Sequence, residues 1–561
     1  MYTLLLALLI VGGAGLLSWP LGRYLSWAMD PDAPESGAAG RFTGLFQWCV
    51  GRTARGTQDW KGYLVSMLAF NVVIFVWSFA IMGLQNVLPL NPDGIGSLEG
   101  SLIFNTAASF TSNTNLQHYS GEVSMSYFSQ LVALMWLQFV SAATGIAALT
   151  ALARGLAGKD LGNYFVDLQR ACILVLLPLS VLVASLILVG GVPMTFAGAA
   201  HAITLEGPTQ TIARGPVAAF LAIKQLGTNG GGFFGPNSTH PFENPTFWTN
   251  GLEMIAILLV PMASVWMFGR ILGRMRHAAV VFAVMLTLLV GKVGGAVWFE
   301  AAPTEAFVAL PAVEQDAGNY EGKELRFGAP FGSGPLWGVL TTSTSNGSVG
   351  AMQDSLNPMS GLMAMIGMWT NATFGGVGVG MINMFLYMIV GVFIAGMMVG
   401  RTPEYLGWRV ESREVKLAIL AILAHAFFVL CGTAVFAATP WGQETLGNVG
   451  PHGFSEMLYE FSSASANNGS GFEGLGDNTV PWNVATGIIM LLGRYIPIIL
   501  PLAIVGSLAS KRRTAESAGT LGVVDATFAG MLLATILIIG ALTFFPAATL
   551  GPIAEHFVFM S

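Results

Sequence analysis

Apolar segments of about 20 residues recur along the chain and limit it to very few kinds of fold. Each is long enough to cross the hydrocarbon core of a bilayer as a helix. Only 10% of the 561 residues are charged, whereas soluble domains have about 25%. We therefore predict an all-α polytopic membrane protein with ten transmembrane helices, at residues 2–22, 62–84, 130–153, 171–192, 251–270, 278–299, 377–400, 416–438, 484–509 and 525–546.

Basic residues concentrate in alternate connections between the predicted helices. They follow the first helix and lie between the third and fourth, fifth and sixth, seventh and eighth, and ninth and tenth. The positive-inside rule places these connections in the cytoplasm, so both termini are expected on the extracytoplasmic side. The other connections are richer in Asp and Glu, which favours cations over anions at that face.

Four extracytoplasmic connections share one local pattern. Each contains an apolar run too short to span, followed by a stretch rich in Gly, Asn, Ser and Thr, such as GTNGGGFFG at 227–235. When their polar cores are aligned, the third residues are Asn115, Gly230, Gly347 and Gly469, at a near-constant spacing. A fixed period with the same local chemistry predicts an internal repeat.

We predict that each repeated unit is a span, a short pore helix, a filter loop and a second span. Pro216 and Pro335 follow glycines, as suits the first turn of a helix. Glu99 and the pair Ser455-Glu456 are candidate start signals for two other short helices. The predicted organisation is an N-terminal span and cytoplasmic loop at 1–61, pore repeats one to four at 62–153, 171–270, 278–400 and 416–509, and a C-terminal span at 525–561.

The repeated unit has a physical use. A short helix that descends from outside ends with its negative carbonyl pole inside the membrane, and four such ends favour a cation between them. Irregular backbone at this depth is tolerated only within protein or around water. Glycine permits positive φ, so successive carbonyls can face an alkali ion and replace its water shell. The alternative is that these stretches are ordinary turns.

Four longer strings resemble the potassium-binding subunits of Kdp-type potassium-transporting ATPases, and the resemblance covers essentially the whole chain. They are NTNLQ at 113–117, GTNGGGFFGPNSTHPFENP at 227–245, GRTPEYLG at 400–407 and SASANNGSGFEGL at 463–475. The resemblance implies a superfamily of K⁺ transporters with a fourfold repeat. K⁺ would be selected outside and passed sideways through a tunnel to a separate P-type ATPase subunit of the KdpB type.

The same resemblance implies two small partner subunits of the KdpC and KdpF types, in a bacterial inner membrane. The chain itself would be a non-catalytic subunit without a covalent cofactor, with K⁺ as its transported ligand. The implied filter residues are Asn113, Thr114, Asn115, Gln117, Thr228, Asn229, Gly230, Ser345, Asn346, Gly347, Asn467, Asn468 and Gly469. Asn346 replaces a cysteine of the family pattern and Leu116 an aromatic residue, which bears on fine affinity.

Two charges and one glycine-rich stretch within the predicted spans are further candidates for the ion pathway. Arg494 lies near mid-span, where the family places an arginine below the filter that blocks a straight route inward. Its alternative role is a structural ion pair. Lys292 lies nearer the outer end of its span and is expected either to act in the pathway or to extend to the interface. The stretch 370–385, with Gly375 and Gly376, predicts either a gating intramembrane loop or a close packing face.

Rival functions find less support. The chain has no phosphorylation motif or phosphate-binding loop, so it is not expected to use ATP alone, which also fits a self-sufficient channel. A redox subunit is disfavoured because only His425 lies well inside a predicted span. Cys49, Cys172 and Cys431 are scattered, and His240 with Glu243 predicts a structured loop rather than a metal pair. Contacts are expected with membrane lipids and not with nucleic acid.

Overall fold

A computed structural model of the protein describes residues 2–33, 40, 44, 51, 56–301, 333–513 and 522–560. Within these residues, ten helices are long and apolar enough to cross a membrane, which confirms the predicted all-α polytopic class. The ten spans are Leu4–Ala28, Trp60–Gly83, Ser129–Leu156, Tyr164–Val189, Phe247–Leu272, Met275–Glu300, Val379–Val399, Ser412–Ala437, Val480–Ala509 and Ala526–Leu550. Cys49 and residues 302–332 of the predicted third repeat lie outside the described residues.

The elements follow one another with little sheet. In chain order the helices are α1 Tyr2–Ala28, α2 Trp60–Gly83, α3 Gly100–Thr111, α4 Gly121–Ser124, α5 Trp136–Leu156, α6 Tyr164–Arg170, α7 Leu177–Val189, α8 Val217–Leu226, α9 Phe247–Leu272, α10 Met275–Glu300, α11 Ser333–Ser343, α12 Pro358–Thr370, α13 Val379–Val399, α14 Ser412–Ala437, α15 Pro440–Gln443, α16 Gly450–Ala466, α17 Val480–Ala509, α18 Ala526–Leu550 and α19 Pro552–Met560. Single π-helical turns at Ser129–Met135 and Ala171–Leu176 continue into α5 and α7. Two antiparallel ribbons pair β1 Ala200–Ile203 with β2 Thr209–Ile212, and β3 Glu404–Tyr405 with β4 Trp408–Arg409.

Two spans extend furthest beyond the bounds that the hydropathy pattern predicts. The first continues to Ala28, and the fourth begins at Tyr164, where the Asn163 side chain accepts a hydrogen bond from the Phe165 amide at 3.0 Å. Arg170, inside this early start, is buried and donates from Nε to the Ala28 carbonyl at 2.6 Å. Arg170, which sets the predicted start of the fourth span, therefore lies inside a helix and links the added end of the first span to the added start of the fourth.

Four short helices, α3, α8, α11 and α16, lie at the centre of the fold, and most of their side chains are buried, including polar ones. Glu99 caps α3 as expected, because its carboxylate accepts from the Ser101 and Leu102 amides at 2.7 and 3.0 Å. The start predicted for α16 at Ser455 is wrong. That helix begins at Gly450 with proline in its first turn, and the Ser455 hydroxyl donates to the Pro451 carbonyl at 3.0 Å.

The predicted third repeat has a second span that is broken. After α11 and its loop come α12, then an irregular segment at 371–378, then α13. Asn371, at φ 42°, ends α12 in the left-handed conformation, and Gly375 and Gly378 also have positive φ. The glycine-rich stretch predicted at 370–385 therefore includes a backbone break between two helices.

Candidate functional site

The loops that follow the four short helices have the same backbone conformation. We name them loops one to four, at 113–115, 228–230, 345–347 and 467–469. The amide of each second residue donates to the carbonyl five residues earlier in its own helix, at 2.9 Å in all four loops. The first residues, Asn113, Thr228, Ser345 and Asn467, have φ of 66°, 49°, 49° and 53°. Each helix therefore ends in a Schellman-type cap with a residue other than glycine in the left-handed position.

The third residues are also left-handed, while the second are not. Asn115, Gly230, Gly347 and Gly469 have φ of 56°, 76°, 94° and 105°. Their amides bond back to the helix, at the Ser109 and Lys224 carbonyls in loops one and two and at the Thr341 and Ser463 hydroxyls in loops three and four. The amides of the second and third residues are therefore both bonded to the short helix that precedes them.

The loops interlock in cyclic order. A Cβ added to Gly230 would lie 2.0 Å from the Asn346 carbonyl oxygen of loop three. One added to Gly347 would lie 2.2 Å from the Asn468 oxygen of loop four, and one added to Gly469 would lie 2.0 Å from the Thr114 oxygen of loop one. Each third-position glycine thus leaves room for the second-position carbonyl of the next loop.

The junction between loops one and two uses a different glycine. Asn115 carries a side chain at the third position, and its Cβ lies 2.8 Å from where a Cβ of Gly231 would be. The additional glycines after loop two therefore accommodate the side chain that loop one has in place of a hydrogen. With this contact the four loops form a closed ring.

Asparagine amides bridge neighbouring loops. Asn113 Nδ2 donates to the Thr228 carbonyl at 2.9 Å, and Asn229 Nδ2 donates to Asn113 Oδ1 at 2.6 Å. Asn468 Nδ2 donates to the Thr341 carbonyl at 2.9 Å, so loop four is bound to the short helix before loop three. Asn467 Nδ2 donates to Thr114 Oγ1 at 2.9 Å, which links loop four to loop one.

Asn346 is part of the same bridging. Its Nδ2 lies 3.4 Å from the Lys224 carbonyl and 3.3 Å from the Gln225 carbonyl of α8, and its Oδ1 accepts from the Ser348 amide at 2.9 Å. Asn468 makes the corresponding contacts one loop later, including acceptance from the Ser470 amide at 3.0 Å. Asn346 therefore supports the ring from outside through its side chain.

Gln117 and Leu116 also lie beside the ring. Gln117 exchanges two hydrogen bonds with Gly232: its Nε2 donates to the carbonyl at 3.0 Å and its Oε1 accepts from the amide at 2.7 Å. Leu116 is buried against Ala464 and Met490. Both residues thus hold loop one against its neighbours on either side.

A cavity of about 360 Å³ lies against one face of the ring. Gly347 and Gly469 are among its lining residues, and so are the acids Glu473 and Asp477. Asp477 Oδ2 lies 3.8 Å from the Nε2 of buried His118, and Glu460 Oε1 lies 3.3 Å from the same atom. Burial alone lowers the pKa of His118, but these two carboxylates outweigh it and raise the pKa to about 9. The imidazolium thus balances part of the acidic charge beside the cavity.

The broken span contacts the opposite side of the loops. The Val377 amide donates to Thr228 Oγ1 at 3.0 Å, and the Gly375 amide donates to the Ser343 carbonyl at 2.9 Å. A Cβ added to Gly376 would lie 3.6 Å from that of Ser345. The segment 371–378 therefore lies against the first residues of loops two and three, with its backbone close to both.

Arg494 lies on the same side of the ring. It is buried, and its Nη2 donates to the Ser141 carbonyl at 2.8 Å. No carboxylate of the described residues lies within ion-pair distance of it, so the structural ion pair considered as an alternative is wrong for this part of the chain. The Ser141 hydroxyl in turn donates to Asn113 Oδ1 at 2.8 Å, which connects the arginine to loop one through one residue.

Lys292 does not extend to the membrane interface. Its side chain is buried on α10, and its Nζ has no hydrogen-bond partner among the described residues. The alternative that it extends to the interface is therefore wrong. None of the contacts above links it to the four loops.

Sequence reasoning missed a buried ionic network behind loop two. Lys224 Nζ, on the apolar helix α8, lies 2.5 Å from Glu243 Oε2, and both side chains are fully buried. His240 stacks on Phe234 with ring centroids 4.0 Å apart, and its Nδ1 accepts from the Phe242 amide at 3.0 Å, so it lies in a structured loop as predicted. The available signal was a lysine that follows seven consecutive apolar residues in the ten-residue helix VAAFLAIKQL.

The whole arrangement suits a desolvated cation. The carbonyl ends of four helices meet at a ring of backbone oxygens, and acidic side chains line the cavity on one face. Lys224 is the basic residue nearest the ring on the four short helices, and Glu243 neutralises its charge. A backbone-lined site of this kind replaces hydration water and needs no catalytic side chain.

Comparisons with known proteins give a consistent result. The family model for the potassium-transporting ATPase A subunit, KdpA, matches residues 6–557. A protein of Geobacillus kaustophilus described as "Potassium-transporting ATPase potassium-binding subunit" is 45% identical over 561 residues, covering 99% of this chain and 98% of that protein. Proteins with the same description from Parabacteroides distasonis and Pseudomonas putida are 45% and 48% identical, with 96% and 90% of each chain covered. The chain belongs to the family of potassium-transporting ATPase A subunits.

Proposed function

We propose that the chain binds and selects K⁺ at the extracytoplasmic face of a bacterial inner membrane. The observation that supports this proposal is the closed ring of four loops, which share one backbone pattern, left-handed at the first and third positions. The ligands are the carbonyl oxygens of loops one to four, and Gln117 holds loop one in register. K⁺ is the transported ligand, and no covalent cofactor takes part.

The proposed organisation is a fourfold repeat of span, pore helix, filter loop and span. It assigns the repeats to 62–153, 171–270, 278–400 and 416–509, between an N-terminal unit at 1–61 and a C-terminal span at 525–561. The shared caps and the cyclic contacts between loops support it. The even number of spans among the described residues, with basic residues in alternate connections, supports a topology with both termini outside the cytoplasm.

The chain acts in an ATP-driven import complex. The relatives are described as potassium-binding subunits of an ATPase, and this sequence has no nucleotide-binding motif of its own. The ATPase is therefore a separate P-type subunit, accompanied by small KdpC- and KdpF-type subunits. Below the filter, Arg494 and the Gly375–Gly376 segment close the straight path of the ion to the cytoplasm. Lys292, on α10, is assigned to the same ion pathway.

A single glycine tests the filter assignment. An alanine methyl at Gly469 displaces the Thr114 carbonyl of loop one and strains a residue at φ 105°. Such strain costs about 1–2 kcal/mol, and about 1.4 kcal/mol is tenfold in affinity. In the assembled complex, Gly469→Ala should raise the half-saturating K⁺ several-fold to about tenfold and reduce preference over Na⁺.

The matched control is Gly207→Ala. Gly207 has nearly the same φ, 100°, in the β1–β2 ribbon, but nothing lies within 4 Å of an added Cβ. It shares the backbone strain without touching the ring, so K⁺ affinity should be unchanged. If Gly469→Ala lowers only expression or thermal stability, as Gly207→Ala does, these loops are turns and the filter assignment fails.

A further inference from the structure

Among the described residues, Asn237 is the one side chain that donates to a third-position carbonyl of the ring. Its Nδ2 lies 2.7 Å from the Gly230 oxygen, seven residues back along the chain. Asn237 itself has φ 57°, a conformation that asparagine adopts more readily than most residues. The turn at Asn237 brings the chain back so that its side chain reaches loop two.

The orientation of this amide is fixed by its other neighbours. Asn237 Oδ1 accepts from the Lys224 ammonium and from the Ser238 amide at 2.8 Å. An ammonium only donates, so the atom facing Lys224 must be the oxygen, and the atom facing Gly230 must be the nitrogen. The bond to the Gly230 carbonyl is therefore a true N–H donation.

The amide is also held firmly in place. Lys224 Nζ lies 2.5 Å from Glu243 Oε2 and 2.8 Å from Ser238 Oγ, and Glu243 Oε1 accepts from the Phe234 amide at 2.9 Å. These bonds join α8 to the returning segment on both sides of Asn237. A buried and fully bonded network of this kind resists small displacements.

Loop two thus differs from the other loops. The third-position carbonyls of Asn115, Gly347 and Gly469 accept no side-chain hydrogen bond within the described ranges. Na⁺ is smaller than K⁺, so it binds well only where carbonyl oxygens move inward. A carbonyl oxygen that already accepts a hydrogen bond from a fixed amide is hindered from that movement, whereas K⁺ requires none.

We propose that Asn237 is a specificity-determining residue, which fixes the position of the Gly230 carbonyl and so adds to the discrimination against Na⁺. The inference rests on the proposed filter. It assigns to Asn237 no contact with the ion itself, only control of an oxygen that has one. Lys224 is the positioning residue for the Asn237 amide.

Two variants of Asn237 test this inference in the complete transport complex. Asn237→Gly removes the amide and keeps a residue that tolerates the left-handed backbone. Asn237→Asp keeps the shape and places an oxygen against the Gly230 carbonyl in place of the donor. The matched control is Asn244→Asp, an equally buried asparagine of the same segment that bonds to Thr249 and Asn250 and touches no loop residue.

The measurement is K⁺-stimulated ATPase activity with Na⁺ as competitor, together with the thermal unfolding temperature of each variant. Both Asn237 variants should bind Na⁺ about three- to tenfold more tightly relative to K⁺, the range expected when one hydrogen bond of ordinary strength is lost. The half-saturating K⁺ should change less than the Na⁺ constant. Asn244→Asp should lose thermal stability only.

Three results separate the possibilities. If Asn237→Gly leaves the ratio of Na⁺ to K⁺ binding constants unchanged while Gly469→Ala alters it, the role proposed for Asn237 is overturned and the filter assignment stands. An equal change in Asn244→Asp would attribute the effect to general loosening and would also overturn it. If neither Asn237→Gly nor Gly469→Ala alters ion preference, the filter itself is placed wrongly.

Discussion

Arg494 is bound to loop one through a single serine. Its guanidinium donates to the Ser141 carbonyl at 2.8 Å, and the Ser141 hydroxyl donates to Asn113 Oδ1 at 2.8 Å. Asn229 of loop two donates to the same Asn113 oxygen at 2.6 Å. A buried arginine thus lies one residue away from loop one, on the side of the ring away from the acidic cavity.

We expect Arg494→Ala to change the coupling between ATP hydrolysis and transport more than the affinity of the outer site. The arginine reaches the ring through the Ser141 backbone rather than through a ring carbonyl. The half-saturating K⁺ should move less than about threefold, while ATP hydrolysed per K⁺ transported should rise. Paired uptake and ATPase measurements give both quantities. Arg494→Lys keeps the charge and separates its loss from loss of the hydrogen bond; lost binding with normal transport per bound ion would refute this role.

Gly230→Ala and Gly347→Ala should weaken K⁺ binding in the same way as Gly469→Ala. The added methyl groups meet the Asn346 and Asn468 carbonyl oxygens at 2.0 and 2.2 Å. We expect several-fold to about tenfold higher half-saturating K⁺ for each, with poorer exclusion of Na⁺. Gly450→Ala, at φ 70° with nothing within 4 Å of the added Cβ, controls for the strain. Normal affinity and selectivity in both variants would argue against a ring of carbonyl ligands.

Removing one partner of the Lys224–Glu243 pair should destabilise the protein more than replacing both partners together. Each single change, Lys224→Met or Glu243→Gln, leaves one buried group without its partner. Such a loss typically costs about 3–5 kcal/mol, whereas replacing both partners is better tolerated. Thermal unfolding in detergent should therefore show the double variant to be more stable than the sum of the single effects predicts. Additive losses would show that the two charges do not stabilise each other.

His452 should contribute to stability in a pH-dependent manner. Its Nε2 lies 2.8 Å from Asp354 Oδ1 and its Nδ1 lies 2.6 Å from Glu555 Oε1, so it joins α16 to α19. Burial by itself lowers the pKa of His452, but hydrogen bonds and charge from these two carboxylates outweigh it and raise the pKa to about 10. A folded pKa above the ordinary 6.5 means that the contribution is complete below about pH 6.5 and is lost as the pH rises through 10.

The corresponding variant is His452→Gln. It should unfold at a lower temperature than the unaltered chain at neutral pH, and the difference should shrink as the pH approaches 10. Thermal unfolding across that range provides the measurement. A gap that stays constant with pH would mean that His452 acts through packing on Phe472 and not through its charge.

Much of the architecture follows from local sequence. Uncharged runs give the ten spans because hydrocarbon excludes charge, and the aligned glycines and asparagines give the four loops because few residues tolerate positive φ. The predicted cap of α16, Ser455, lies six residues after the actual cap, Val449, since Pro451 in the first turn outweighs the serine further along. The family resemblance, and not the pattern alone, pointed to Gln117.

What the sequence did not predict depends on contacts between distant segments. Lys224 looks like an interruption of an apolar helix until Glu243 and Asn237 fold back onto it. In the sequence, nothing distinguishes the need for Gly231 from that for Gly230. In the structure, the Asn115 side chain occupies the space that a side chain at Gly231 would need. Neither partner is adjacent in the chain, so periodicity and propensity carry no signal for them.

The interlocked glycines have a consequence for how this chain tolerates substitution. The space that Gly469 leaves empty is filled by loop one, and the space at Gly230 is filled by loop three. The demand for glycine at each of these positions is therefore set by a loop that is distant in the chain. The damage done by substituting one of these glycines should appear first in the next loop around the ring, and not in residues nearby in sequence.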